Sequence, residues 1–398
     1  MEKYKKILKR ITPNILKKII RDLISGKYSY FFWLFPIKNN KIVVCNYYGK
    51  GFGDNGKYIV NELINQKYNY DIVWLVKKKS NYNLEFPKEI RTVKYNSFIG
   101  LYELATAKIW IDNCRKSFYP PKRKSQYYIQ TWHGGIALKQ VEKDVEKNLS
   151  KLYVDIAKND SKMADLFISN SNFCTKMYRS AFWYKGEILE AGSPRCDILF
   201  KNPQAIHDKV RNYFNISPDS RILIYAPTFR VDSNTEVYNI DYERLLQVLE
   251  KKFGGKWVIL VRLHPNISFK DSFLKNISSV INATKYSDMY ELLVASDILI
   301  TDYSSTMFEF SFTGKPVFLY AADIEEYRKD RNFYFDIYSL PYPIAENNDE
   351  LCNNIKMFDN ITYLEKLEQL FSDIGLNENG NASQHVANII KKVILDSK

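Results

Sequence analysis

Ile298-Leu299-Ile300-Thr301-Asp302-Tyr303-Ser304-Ser305-Thr306-Met307-Phe308-Glu309 reads as a buried strand, a hydroxyl-rich turn and the start of a helix. Serines beside a helix N-terminus cap it, while the free amides and the helix dipole there attract phosphate. Thr301, Asp302, Ser304, Ser305 and Glu309 are therefore candidate substrate contacts, with capping alone as the plainer role of the serines. No Walker lysine motif accompanies the turn, so it is not an ATPase loop.

Outward from this unit the same strand-then-helix rhythm repeats. Upstream lie strand-like runs at Ile222–Ala226, Trp257–Val261 and Ser279–Ile281, and downstream one at Val317–Tyr320. An earlier series runs through Ile42–Asn46, Ile72–Val76, Ile109–Asp112, Tyr127–Thr131, Leu166–Ser169 and Ile188–Ala191. Such alternation predicts α/β architecture with parallel sheets and crossover helices. At 398 residues the chain exceeds what one core usually organises, and two domains are expected. The polar stretch 201–220 is the natural join, which divides the chain into 39–210 and 211–398 behind an amino-terminal segment, 1–38.

In that segment Tyr4, Leu8, Ile11, Ile15, Ile19 and Leu23 recur at helical spacing while lysines and arginines fill the opposite face, with Pro13 dividing the run. The aromatic stretch from Tyr28 to Phe35 follows directly. This pattern suits an amphipathic helix lying in a lipid headgroup region, or a helix packed on the body with a solvated basic face. A formal charge of +13, from 58 basic and 45 acidic residues, favours polyanionic partners such as acidic lipid or phosphate-rich substrates. Five scattered cysteines lack the spacing of a disulfide framework or a zinc site. No apolar run is long enough to span a bilayer, and the body of the protein is expected on the cytoplasmic side.

The remaining motifs sit at predicted strand exits, where open α/β sheets bind ligands. Gly51-Phe52-Gly53-Asp54-Asn55-Gly56 satisfies the dinucleotide spacing, but Tyr47 to Lys50 separate it from its strand and the acidic partner comes too early, so a glycine turn open to an acceptor is the better reading. In Thr131-Trp132-His133-Gly134-Gly135 a histidine leaves a strand beside glycines that admit a ligand to the backbone. Neutral imidazole there can take a proton from an attacking hydroxyl, which makes His133 the candidate base and Gly134 a candidate contact. Arg262-Leu263-His264 ends another strand, with Arg262 and His264 on one face, where they can hold a diphosphate or merely cap the strand. Thr228 and Arg230 in Ala226-Pro227-Thr228-Phe229-Arg230, and Arg195 in Gly192-Ser193-Pro194-Arg195-Cys196-Asp197, are candidates to meet donor phosphate or to span the domains, with a surface salt bridge as the plainer role of either arginine.

Five motifs in this order resemble the CDP-glycerol glycerophosphotransferase family of teichoic-acid and capsule biosynthesis: Thr131-Trp132-His133-Gly134, Gly192-Ser193-Pro194-Arg195-Cys196-Asp197, Tyr225 to Arg230, Arg262-Leu263-His264-Pro265, and Thr301 through Glu309. The stretches Asp323 to Tyr327 and Arg331 to Tyr334 extend the likeness. The resemblance implies a GT-B-like pair of Rossmann-type domains facing a cleft, and a CDP-polyol held mainly by the second domain. It also implies His133 as base and peripheral attachment at the cytoplasmic face of the membrane. The chain departs from many relatives at Gly135 and Ile136, which leaves the acceptor open. Lacking the long amino-terminal region of the large polymerases, it is expected to make single transfers.

The expected reaction moves glycerol phosphate, or a related polyol phosphate, from CDP-glycerol or another CDP-polyol to a hydroxyl of a lipid-linked glycan. His133 deprotonates the acceptor, and His264 with the Ser304/Ser305 turn steadies the departing CMP. CDP-polyol is a substrate, no cofactor is expected, and dependence on a divalent metal is open. A GT-B glycosyltransferase using a nucleotide sugar is the alternative. A basic membrane- or nucleic-acid-binding protein would leave the histidines at the strand exits without purpose, and no nucleic-acid partner is expected.

Overall fold

Ile42, Val43, Val44 and Cys45 are successive residues of one strand and all are buried, so both faces of their sheet are covered. That is the signature of a parallel sheet sandwiched by crossover helices. The computed structural model describes residues 29–77, 86–118, 120–228, 230, 236–263, 277–330 and 332–397. The predicted helix of residues 4–24 and His264 lie outside the described residues.

The first sheet has seven strands: β1 (Lys38–Cys45), β2 (Asp71–Val76), β3 (Ile90–Lys94), β4 (Ala107–Asp112), β5 (Tyr127–Gln130), β6 (Leu166–Ser169) and β7 (Glu187–Glu190). Their spatial order is β3-β2-β1-β4-β5-β6-β7, and every pairing is parallel. The order reverses between β1 and β4, which opens a crevice at their carboxyl ends. The second sheet holds β8 (Ser220–Tyr225), β9 (Lys256–Val261), β10 (Val280–Asn282), β11 (Ile298–Thr301), β12 (Val317–Tyr320) and β13 (Ile344–Ala345). It is ordered β10-β9-β8-β11-β12-β13, again all parallel, with its reversal between β8 and β11. Two parallel sheets of this kind are the GT-B-like architecture expected from the sequence.

Three strands correct the sequence reading. β1 begins at Lys38, four residues earlier than expected, because Lys38 pairs with Ala107 before a register shift and because Lys41 is fully buried on Glu103 at 2.5 Å and Thr106 at 2.9 Å. Truncating one partner of such a buried pair typically costs about 3–5 kcal/mol. β3 is a polar edge strand, Ile-Arg-Thr-Val-Lys, held partly by Arg91 on Asp71, and β13 has only two residues. Neither carries an apolar run to announce it.

The last helix, Ala382–Leu395, corrects the assignment of 211–398 to the second domain. Val386, Ile390 and Ile394 recur every four residues and enter the core of the first sheet with Ile42, Val44, Ile59 and Leu63. Its first turn is held by Asp197, whose carboxylate accepts from Ala382 N at 2.9 Å and Ser383 N at 2.8 Å. The chain therefore crosses between the domains a second time.

Candidate active site

Trp132 adopts a left-handed backbone, φ 52°, immediately after β5, and so turns the chain sharply at the strand's carboxyl end. Gln130, fully buried, stabilises the turn by accepting from Trp132 N at 2.9 Å. Gly135 permits it, since a Cβ there would overlap the buried amide of Asn170. No comparable crowding exists at Gly134, whose added Cβ would meet Trp132 only at ordinary contact distance.

His133 is half-buried against Trp132, their ring centroids 4.2 Å apart, with Tyr47 on another side. Its Nδ1 lies 2.7 Å from the carbonyl of Asn113 in the loop after β4. A carbonyl only accepts, so Nδ1 carries the proton and Nε2 keeps its lone pair. Burial lowers the imidazole pKa below its ordinary 6.5, against the opposing pull of that hydrogen bond. The ring is therefore neutral at pH 7, as a base must be.

The glycine loop after β1 supports this arrangement instead of binding a dinucleotide. Gly56 packs against Val44 and Trp74. Asp54, φ 54°, accepts from Tyr47 Oη at 2.9 Å and from Arg195 Nη1 at 2.8 Å. Asn55 donates to the carbonyl of Trp132 at 3.1 Å and accepts from Arg195 N at 3.1 Å. Sequence reasoning passed over Asp54, Asn55 and Asn113, although the first two stood inside the loop already weighed as an acceptor site.

On the second domain, the turn after β11 presents Ser304 and Ser305, both half-buried. Ser304 Oγ binds Thr306 Oγ1 at 2.9 Å, and Ser305, at the N-cap position of the helix Thr306–Ser311, makes no side-chain cap. Neighbouring candidates look inward. Thr301 Oγ1 donates to the carbonyl of Ala226 at 2.7 Å, and Asp302 accepts from Thr228 N at 3.0 Å and Thr228 Oγ1 at 3.1 Å. All five N–H groups of Arg230 are engaged: with Asp323 at 2.6 and 3.0 Å, Asp302 at 2.9 Å, and Thr228 at 2.9 and 2.6 Å. The guanidinium is also flanked by the rings of Tyr303 and Tyr327 at 4.9 and 5.0 Å. Thr228, Arg230, Thr301 and Asp302 thus brace the exits of β8 and β11, and Arg230 bridges within its own domain instead of between domains. Arg262 donates to the carbonyl of Tyr286 at 2.7 Å at the exit of β9.

Arg195 and Glu309 meet each other in the seam, Nη2 to Oε1 at 2.5 Å. Two further contacts close it. Lys57 reaches Asp288 at 2.6 Å and Glu291 at 2.8 Å, and residues 138–140 pair antiparallel with residues 332–334 through Lys139 and Phe333, with Gln140 N on Asn332 O at 2.9 Å and Tyr334 N on Leu138 O at 2.8 Å. A cavity of about 550 Å³ runs along Asn332–Tyr338 beside this clasp, and the candidate residues do not line it. Among the described residues no three His, Cys, Asp or Glu side chains converge as a metal-binding group.

A histidine just beyond the carboxyl end of a strand in one parallel sheet, and a hydroxyl-rich turn at the carboxyl end of a strand in the other, place the chain in the GT-B-like class. The chain belongs to the CDP-Glycerol:Poly(glycerophosphate) glycerophosphotransferase family, whose model matches residues 27–392. It is 33% identical to a teichoic acid poly(glycerol phosphate) polymerase of Staphylococcus epidermidis over 90% of this chain, and spans about half (51%) of that protein. It is 29% identical to a teichoic acid glycerol-phosphate transferase of Staphylococcus aureus, covering 95% of this chain and 99% of that one. Among solved structures, a histidine-to-asparagine variant of the wall teichoic acid polymerase TagF soaked with CDPG superposes with a TM-score of 0.81 at 31% identity, over 100% of this chain and 98% of that one.

Proposed function

We propose that this chain transfers glycerol phosphate, or a closely related polyol phosphate, from its CDP-activated form to a hydroxyl of a teichoic-acid or capsular glycan, and releases CMP. The observation that carries the reading is His133: Nδ1 is committed to the Asn113 carbonyl, and Nε2 is left as a neutral base beyond the carboxyl end of β5. The acceptor oxygen attacks the phosphorus that bears the polyol, its proton passes to Nε2, and the bond to the CMP phosphate breaks. Transfer of this kind depends chiefly on positioning and on electrostatic stabilisation of the leaving phosphate. Ser304 and Ser305 supply hydroxyls and turn amides for that phosphate, and Gly134 leaves room for the acceptor beside the base.

A lipid-linked acceptor and an anionic membrane surface complete the proposal. Tyr30, Phe31, Trp33, Leu34 and Phe35 are exposed beside Phe98 and Ile99 of the helix Phe98–Thr106, and Arg123 lies over the Trp33 ring at 5.9 Å. An apolar patch with a guanidinium at its edge suits a headgroup region. Phe32 does not belong to it, because it is buried against Phe98 and Tyr102. No described helix is long and apolar enough to cross a membrane.

The test is donor choice. Purified protein is incubated with CDP-glycerol, CDP-ribitol and UDP-sugars in the presence of a glycan primer, and released nucleotide is measured. CMP from a CDP-polyol is the expected product. UDP release without CMP release overturns the proposal.

A further inference from the structure

Arg195 is buried in the seam and forks between carboxylates of different domains: Asp54 in the loop after β1, at 2.8 Å, and Glu309 on the helix after the hydroxyl-rich turn, at 2.5 Å. Both carboxylates are themselves buried, and each takes a tyrosine hydroxyl as a further donor, Tyr47 on Asp54 at 2.9 Å and Tyr290 on Glu309 at 2.5 Å. The cluster holds two acidic side chains and one base. An arginine that swung out to meet a phosphate would leave both carboxylates buried without a counter-ion, which is strongly unfavourable. The backbone of Arg195 is tied as well, to Asn55, whose amide reaches the carbonyl of Trp132 beside His133. Direct contacts therefore run from the base loop through Asn55 and Arg195 to Glu309, on the helix that the Ser304–Ser305 turn begins.

A guanidinium is a rigid planar fork, so its width sets the separation of the carboxylates it joins. We propose that Arg195 is a positioning residue, an interdomain strut that sets the spacing between the His133 loop and the Ser304–Ser305 turn. The inference rests on the reading above, in which His133 is the base and the turn holds the donor. It replaces donor contact as the role of Arg195 and gives Asp54 and Glu309 a shared task.

Arg195→Lys keeps the charge but offers no fork, and Glu309→Gln keeps the shape but not the ion pair. In the full chain each is expected to lower kcat at least about tenfold while the calorimetric Kd for CDP-glycerol stays within about twofold. The double variant should be no worse than the worse single, because a strut cut at either end is already cut. Ser304→Ala with Ser305→Ala gives the contrast, a weaker donor Kd. Domain spacing is read independently from spin labels at Lys176→Cys and Glu250→Cys, both exposed, since all five native cysteines are buried. Arg195→Lys should broaden that distance distribution. A donor Kd that rises in step with the loss of kcat, single losses that multiply in the double variant, or an unchanged label distance each overturns the strut. Failure of the unsubstituted chain to release CMP overturns the functional reading instead, and the label distance still judges the strut.

Discussion

Replacing His133 with alanine removes the proposed base and little else. The imidazole contributes one hydrogen bond to Asn113 O, worth about 1 kcal/mol net, and ring contacts with Trp132 and Tyr47, together worth about another. A loss of about 2 kcal/mol lowers the melting temperature of a domain this size by roughly 4–8 °C, so the variant stays folded at assay temperature. A positioned base contributes about 10²–10⁴-fold, equivalent to about 3–5 kcal/mol of barrier, so turnover should fall by at least about a hundredfold. The assay is CMP release at saturating donor and acceptor, repeated across pH. Because burial disfavours the imidazolium, the acid limb of kcat/KM in the unsubstituted enzyme should lie below pH 6.5 and vanish in His133→Ala. Near-normal turnover, or an acid limb that survives the substitution, refutes the assignment.

Glu378 lies in the crossing to the last helix, where it accepts from Ser193 N at 3.0 Å, and burial pushes its carboxyl up from 4.5 to about 8. A folded pKa above the unfolded one contributes stability that is full below about pH 4.5 and lost as pH rises through about 8. Glu378→Gln, which keeps an acceptor for Ser193, should flatten the decline in melting temperature between pH 5 and 9 by the equivalent of a few kcal/mol; equal slopes in calorimetric scans refute this. Leu34→Ser with Ile99→Ser alters only exposed side chains, so stability should hold within about 0.5 kcal/mol per site while co-sedimentation with anionic vesicles falls several-fold. Undiminished sedimentation removes the patch from the proposed membrane surface.

Period and punctuation in the sequence were enough for the strand exits. β6, β11 and β12 fall where their unbroken apolar runs predict, and His133 and the Ser304–Ser305 turn both follow such runs. Burial on both faces removes polar residues from a parallel strand, so the strand and the turn that ends it are local properties of the chain. β3 escaped because an edge strand keeps solvent-facing charge, and the helix Ala382–Leu395 was placed with the wrong sheet because an apolar helical face does not say which core it will enter. The roles of the charged residues were decided only by tertiary structure. Arg195 and Arg230 stand in similar strand-exit motifs, yet one forks between domains and the other closes a network inside its own. Whether an arginine meets substrate or protein depends on the carboxylates that long-range folding brings within 3 Å of it. Asp54 and Glu309, 255 residues apart, are joined on one guanidinium by contacts that no local pattern encodes.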